Sequence, residues 1–483
     1  MRISGLASGL DIDSMVKQLM TAERVPLDKL NQQKQLAEWK REGYREVSTK
    51  LVGFNEKLTS YSFSSAIDSK KATITGATGV LTAKATGAAT DSVLNVTVNN
   101  LASASNVIYK GAAGATKMSD LGVGSESVKI GSAEIKFEAG DTIDSFVSKI
   151  NKSTDAGVTA VYNSTTGSLS LTSKKTGSES INLEGSLFES SASFTKSSEK
   201  VGQDAEVVIN GLTTKQSSNT FTVNGVEISL NGTTPTGQST QIEVSQDIDT
   251  MVNTIKSFVE AYNDTLSQLN KKTGEERYRK YLPLTTEQKA DMKDSEIELW
   301  EGKAKSGMLK SDSIVDKTIS DMRTALASDV VMPNGEKINL AQFGITTGNY
   351  SEKGKLYIDE TKLREALESN PEKATALFGQ TDNADKTNYT SNDGIFNRVK
   401  KINSGSLQSL ADKAGTSKVS SDLTTAFLPQ SQIGEQLSDY EKRIEALQDR
   451  LARVENQYYK QFTAMEMAMN KYNSTASSLT SML

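Results

Sequence analysis

The sequence predicts an α+β multidomain chain, with amphipathic helices at both ends and β-rich domains inserted between them. Three observations carry this reading. A three–four apolar stripe runs from Leu437 to Leu483. A weaker helical pattern marks the first 65 or so residues. Between about 70 and 243 Ser, Thr, Gly and Asn take over and the apolar period falls to two.

At the N-terminal end, Asp11-Ile12-Asp13-Ser14 supplies caps for a helix carrying Val16, Leu19 and Met20. Pro26 predicts a second helix, because proline is tolerated in a first turn. There Tyr44, Val47, Leu51, Phe54 and Leu58 keep heptad spacing, whereas Gln33, Ala37 and Lys40 weaken the seam upstream. Gly43 and Gly53 each cost about 1 kcal/mol against alanine, so this helix is expected to depend on packing.

In the middle, Leu94, Val96 and Val98 alternate. Phe221 to Leu230 reads as a hairpin around Asn224-Gly225, and Thr159 to Leu171 as another around Thr166-Gly167. Ile143, Phe146, Val147 and Ile150 predict a short helix after Asp141. From Asp247 a longer helix carries Ile248, Val252, Ile255, Val259, Tyr262, Leu266 and Leu269, read as a core helix able to cover the N-terminal one.

Residues 270 to about 430 are mixed. Lys271 to Lys305 is charged and helical in outline, with Trp300 as an anchor. Val331-Met332-Pro333-Asn334-Gly335 reads as a turn, and Leu363, Ala366 and Leu367 as one face of a helix. The C-terminal stripe has one doubled four-residue step, Val454–Tyr458–Phe462, which in a coiled coil locally unwinds the supercoil. A seam this long, uncovered within its own segment, calls for a partner. The expected divisions are 1–69, 70–243, 244–430 and 431–483.

Composition excludes several functions. The 483 residues carry a formal charge of −5 and 24 % charged side chains, unlike a nucleic-acid surface. Cysteine and histidine are both absent, which rules out disulfides, thiol nucleophiles and Cys/His zinc sites and removes the commonest general base. No catalytic, metal-ligating or cofactor-binding residue is assigned. The Asp11/Asp13 and Asp247/Asp249 pairs read as helix caps rather than metal ligands. Triplets such as Asn95-Val96-Thr97 and Asn231-Gly232-Thr233 are expected by chance in so Ser- and Thr-rich a chain. No segment is apolar for the length of a bilayer, and Met1-Arg2-Ile3-Ser4-Gly5-Leu6 has no apolar signal core. Taken alone, that points to the cytoplasm.

A resemblance changes that expectation. Ser4-Gly5-Leu6-Ala7-Ser8-Gly9-Leu10-Asp11 followed by Val16-Lys17-Gln18-Leu19-Met20 resembles the N-terminal signature of the bacterial flagellar filament cap family, the second hook-associated protein. Further matches follow in order. They include Val96 to Ala102, Ile209-Asn210-Gly211, Phe258 to Asn263, Ser306 to Leu309, Phe343-Gly344-Ile345, Gly354 to Asp359, and Gln461 to Glu466 with Ser478-Leu479-Thr480. The block around Pro283-Leu284-Thr285 and Trp300 looks like the Gram-positive version.

The resemblance implies terminal helices forming a coiled-coil leg, a mixed helical/β domain beside it, and inserted β-rich head domains. It implies a ring-shaped homo-oligomer, commonly a pentamer, at the distal tip of the flagellum, catalysing no covalent reaction and using no cofactor. The implied partners are flagellin, the hook–filament junction proteins and a cytosolic export chaperone, with no nucleic acid and no membrane insertion. Export would run through the flagellar type III apparatus without a cleaved signal peptide. Candidate assembly and flagellin contacts are Leu6, Leu10, Val16, Leu19, Leu447, Leu451, Phe462, Met465 and Leu479, and of these Leu447, Leu451, Phe462 and Leu479 are expected to be buried. The terminal stretches are expected to order only on assembly. Two other readings stand beside this one. A tip adhesin would bind host glycan or protein through the β-rich domains. A carbohydrate-active enzyme would need paired carboxylates in an aromatic cleft, for which 6 % aromatics is poor material.

Overall fold

Alternation drives the middle of the chain into sheets. In the computed structural model, which describes residues 11–62, 67–189 and 193–482, strand Ser92–Asn100 buries Leu94, Val96 and Val98 and turns Asn95 and Asn99 outward. It is the centre of an antiparallel five-stranded sheet in the order Lys70–Gly76, Thr240–Gln246, Ser92–Asn100, Ala205–Ile209, Leu212–Gln216. The Asn224-Gly225 hairpin forms as read. Both residues take positive φ, 49° and 75°, as a two-residue hairpin turn requires. A Cβ on Gly225 would meet the Ala89 backbone nitrogen at 2.5 Å.

That hairpin and strand Leu81–Ala85 make a three-stranded sheet that closes a first apolar core around Leu81, Val96, Val207, Ile228 and Ile242. A second core surrounds helix Ile143–Lys152, capped by Thr142 accepting from Ser145 N. Phe146 and Ile150 pack there with Phe137, Leu169 and Leu171. Strands Val158–Asn163 and Ser168–Thr176 pair as the second expected hairpin.

The chain divides into two units, Asp68–Ile248 and the helical remainder, Met1–Ile67 with Asp249–Leu483. A break at 243 falls inside strand Thr240–Gln246, whose pairing with Lys70–Gly76 continues to Gln246.

In the helical unit one helix spans Ile12–Ser62, so the expected second start at Pro26 is corrected. An interior proline loses one main-chain bond and kinks a helix at about 3 kcal/mol. Packing overrides that cost, because Val16 and Met20 before the proline and Leu27 after it join one apolar cluster. Helix Ile248–Gly274 buries Val252, Ile255, Phe258, Tyr262 and Leu266, and Phe258 lies 6.3 Å from Phe54 of the N-terminal helix. A further cover, helix Ile395–Ala414, has no counterpart in the sequence reading. Its Phe396 ring lies 5.7 Å from Tyr61, and Arg41 Nε donates to Ala414 O at 2.9 Å.

The charged stretch is not one helix. It breaks at Gly274 and, after Pro283, resumes as Thr286–Ala290 and Asp294–Lys305. Trp300 anchors it, donating Nε1–H to Leu282 O at 2.8 Å and packing 4.6 Å from Tyr281. Leu363 and Leu367 are buried on helix Glu360–Ser369 as expected. No helix among the described residues is long and apolar enough to cross a membrane.

Candidate functional site

The two terminal helices meet in antiparallel register. Asp11 caps the first, its Oδ1 accepting from Ser14 N at 3.0 Å, which is the capping role read from the sequence. Ile12, Val16 and Met20 then pack against Leu451 of helix Gln432–Met482, with Leu27, Val454, Tyr458, Tyr459 and Phe462 around them. Polar contacts fix the register. Tyr459 donates its hydroxyl to Asp13 Oδ1 at 3.1 Å, and Tyr458 to Glu23 Oε1 at 3.4 Å. Lys34 Nζ meets Glu441 at 3.0 Å. That hydrogen bond holds the Lys34 ammonium above its ordinary pKa.

The candidate contacts divide along this pair. Val16 and Leu451 are buried, and Leu447 and Phe462 are half-buried. Leu19 is exposed, as are Met465 and, at 60 % exposure, Leu479. Leu6 and Leu10 lie outside the described residues. The doubled four-step falls where, among the described residues, the apolar cluster ends: Val454, Tyr458 and Phe462 belong to it, while Met467 and Tyr472 beyond it are exposed. Residues 463–482 continue as helix for about 30 Å at 1.5 Å per residue.

Tyr459 was missed, because it sits beside the stripe rather than in it. The phase shift that turns both Tyr458 and Tyr459 inward was legible as the doubled step.

A brace supports the weak upstream seam of the N-terminal helix. The 275–312 excursion lies against it. Gln32 Nε2 donates to Pro283 O at 2.8 Å, Lys305 Nζ sits 5.1 Å from the Trp39 ring centre, and the Tyr44 hydroxyl donates to Asp312 Oδ2 at 2.5 Å. Burial, with the Asp312 carboxylate second, drives the Tyr44 hydroxyl far above its usual pKa, so it stays a donor. The stretch around Gln33, Ala37 and Lys40 is thus held from the side by polar and aromatic contacts.

Comparison with known proteins bears on this pair directly. The family model described as Flagellar hook-associated protein 2 C-terminus matches residues 202–474, and that of the N-terminus matches 8–105. Between them these include the first helix and most of the last. A Flagellin hook IN motif matches 122–175. Flagellar hook-associated protein 2 of Halalkalibacterium halodurans is 31 % identical over 99 % of each chain. That of Escherichia coli K12 is 26 % identical over 99 % of this chain and 96 % of its own. The crystal structure of the flagellar cap protein FliD D1-D2-D3 domains from Escherichia coli shares the fold. The TM-score is 0.55 at 20 % identity, over 83 % of this chain and 99 % of that one.

Proposed function

The chain belongs to the flagellar hook-associated protein 2 family, the filament caps, and from that premise we propose how its paired terminal helices serve the cap. Its function is that of the cap at the tip of the bacterial flagellar filament. The comparisons give no support to the adhesin reading.

In the proposed mechanism the pair has two parts with different tasks. The buried cluster of Ile12, Val16, Met20 and Leu451 is the intramolecular clasp that keeps the two ends of the chain together. Full burial of such side chains is worth about 1.5–3 kcal/mol each. The distal stripe of Met465, Tyr472 and Leu479 is the free part, and it docks on assembly against copies of this chain or against flagellin ends. Methionines suit a surface that must accept successive partners, because their side chains repack easily. The single observation that carries this reading is that, among the described residues, the apolar cluster ends at Phe462 while the helix continues.

The cap would act as a homo-oligomeric ring that guides exported flagellin into place beneath it. No covalent chemistry is assigned to it. Export would run through the flagellar type III route, with a cytosolic chaperone. The test is a strain lacking its own cap gene, complemented with this chain. Restored filaments and retained flagellin support the reading. Flagellin still spilled into the medium, with the protein exported and folded, overturns it. Replacing Met465, Tyr472 and Leu479 together with serine is expected to abolish rescue while leaving the monomer's melting curve unchanged.

A further inference from the structure

Buried side-chain polar atoms almost always find partners. Among the described residues five lack a protein partner, and four of the five lie along one contact of the helical unit. They are Asn55 Oδ1 on the N-terminal helix, both amide atoms of Asn403 on helix Ile395–Ala414, and Thr416 Oγ1 just past its end. Asn403 is fully buried and Thr416 nearly so.

Register places these atoms along one contact. Arg41 Nε donates to Ala414 O at 2.9 Å, Ser48 Oγ to Ser417 O at 2.7 Å, and the Tyr61 ring lies 5.7 Å from Phe396. The two helices therefore run antiparallel. Arg41, Ser48 and Asn55 recur at seven-residue spacing on one stripe, and the same register brings Asn55 level with Asn403. A buried polar group left unmet forfeits its desolvation without return, whereas an apolar side chain in its place would pack. These four atoms find no protein partner in a contact that also carries the Arg41 and Ser48 hydrogen bonds.

The far side of helix Ile395–Ala414 is the opposite case. Arg398 is almost wholly buried and donates to five main-chain carbonyls, those of Ala325, Ser328, Asp329, Ser391 and Asp393, at 2.7–3.0 Å. Thr318 Oγ1 donates to Ser406 Oγ at 2.8 Å. One face of this helix is bolted to residues 318–329 and 391–393. The other meets the N-terminal helix of the same unit along the contact with the unmet atoms.

We propose that this seam is a weak plane, at which the N-terminal helix opens away from helix Ile395–Ala414 while the latter stays fixed. We further propose that the cap uses this opening when it shifts to admit a subunit. The second statement rests on the cap reading above; the first does not.

Hydrogen exchange on the full chain tests the first. Amides of residues 48–59 should exchange faster than those of residues 396–410. The double variant Asn55→Leu/Asn403→Leu should slow exchange at 48–59 by about tenfold. Equal protection of the two segments, or a double variant that folds and exchanges no more slowly, overturns it. Should that variant not fold, the comparison between the two segments in the natural chain still decides.

A lock tests the second. The chain has no cysteine, so Ser48→Cys/Ser417→Cys introduces its sole thiol pair. In cells lacking their own cap, the oxidised pair should stop filament growth that the unsubstituted chain restores, and reduction should restart it. Undiminished growth with the bridge fully formed overturns the functional half. Failure of the unsubstituted chain itself to restore growth overturns the cap reading, and leaves the exchange result standing.

Discussion

The side-chain amide of Asn263 stands in for a missing peptide group. Its Oδ1 accepts from Leu356 N at 2.8 Å and its Nδ2 donates to Leu356 O at 2.9 Å, closing the edge of a two-stranded ladder. Asn151 does the same for Ala160, and Asn219 for Ala102. The Ala160 case matters most, because strand Val158–Asn163 is a sheet edge without a charged residue, and Asn151 occupies main-chain groups that would otherwise be open to strand addition. Asn263→Ala is expected to cost about 1–3 kcal/mol in chemical denaturation, since it strands two main-chain groups at once. Asn263 stood inside a family-like motif in the sequence, but its role was not readable there, since the partner is 93 residues away. Charge behaves simply at this scale. Thr390 hydroxyl donation to Asp382, and main-chain N–H donation to Asp385 and Asp422, hold these carboxylates below their ordinary range. A depressed folded pKa gives stability that is present above the unfolded value and lost as pH falls through the folded one. With no histidine in the chain, melting temperature should be flat from about pH 6 to pH 8 and fall below about pH 4. A titration of stability centred near pH 6.5 would contradict this.

Elements were legible in proportion to how local their causes are. The Asn224-Gly225 hairpin and the Thr142-capped helix are set by neighbouring residues, and both form as read. Helix Ile395–Ala414 was invisible because Asn403-Ser404-Gly405-Ser406 in its middle has loop chemistry. There the structure uses Ser406 as the acceptor for Thr318, and Asn403 lies in the seam. Pro26 misled for the complementary reason: a local stop signal was overridden by the apolar cluster that binds both flanks of the helix. Of the contact candidates, Val16 and Leu451 are buried against each other within the chain, and periodicity could not tell which stretch was covered in this way, since it carries no partner. The N-terminal helix also keeps a reserve of stability. A Cβ at Gly53 meets nothing within 4 Å, so Gly53→Ala should stabilise by about 0.5–1 kcal/mol. At Gly43 a Cβ would press Leu309 at 3.4 Å, so the gain there should be smaller. Thermal melts of the two variants rank them.

For the whole molecule, removal of residues 463–482 separates folding from assembly. The truncated chain should melt as the full one does, because among the described residues the apolar cluster ends at Phe462. It should fail to restore filaments in cells lacking a cap. A drop in melting temperature of more than a few degrees would show that the distal stretch is packed within the subunit instead. The partition of the chain has a further effect. The β-rich unit is one continuous segment, Asp68–Ile248, whereas the helical unit draws on both extremities. A polypeptide emerging end-first from a narrow conduit could complete the former as soon as Ile248, or Asp68 if the other end leads, is clear. The latter must wait until both helix Ile12–Ser62 and helix Gln432–Met482 are clear. On such a route, whichever end leads, the clasp closes only after both of its helices have emerged.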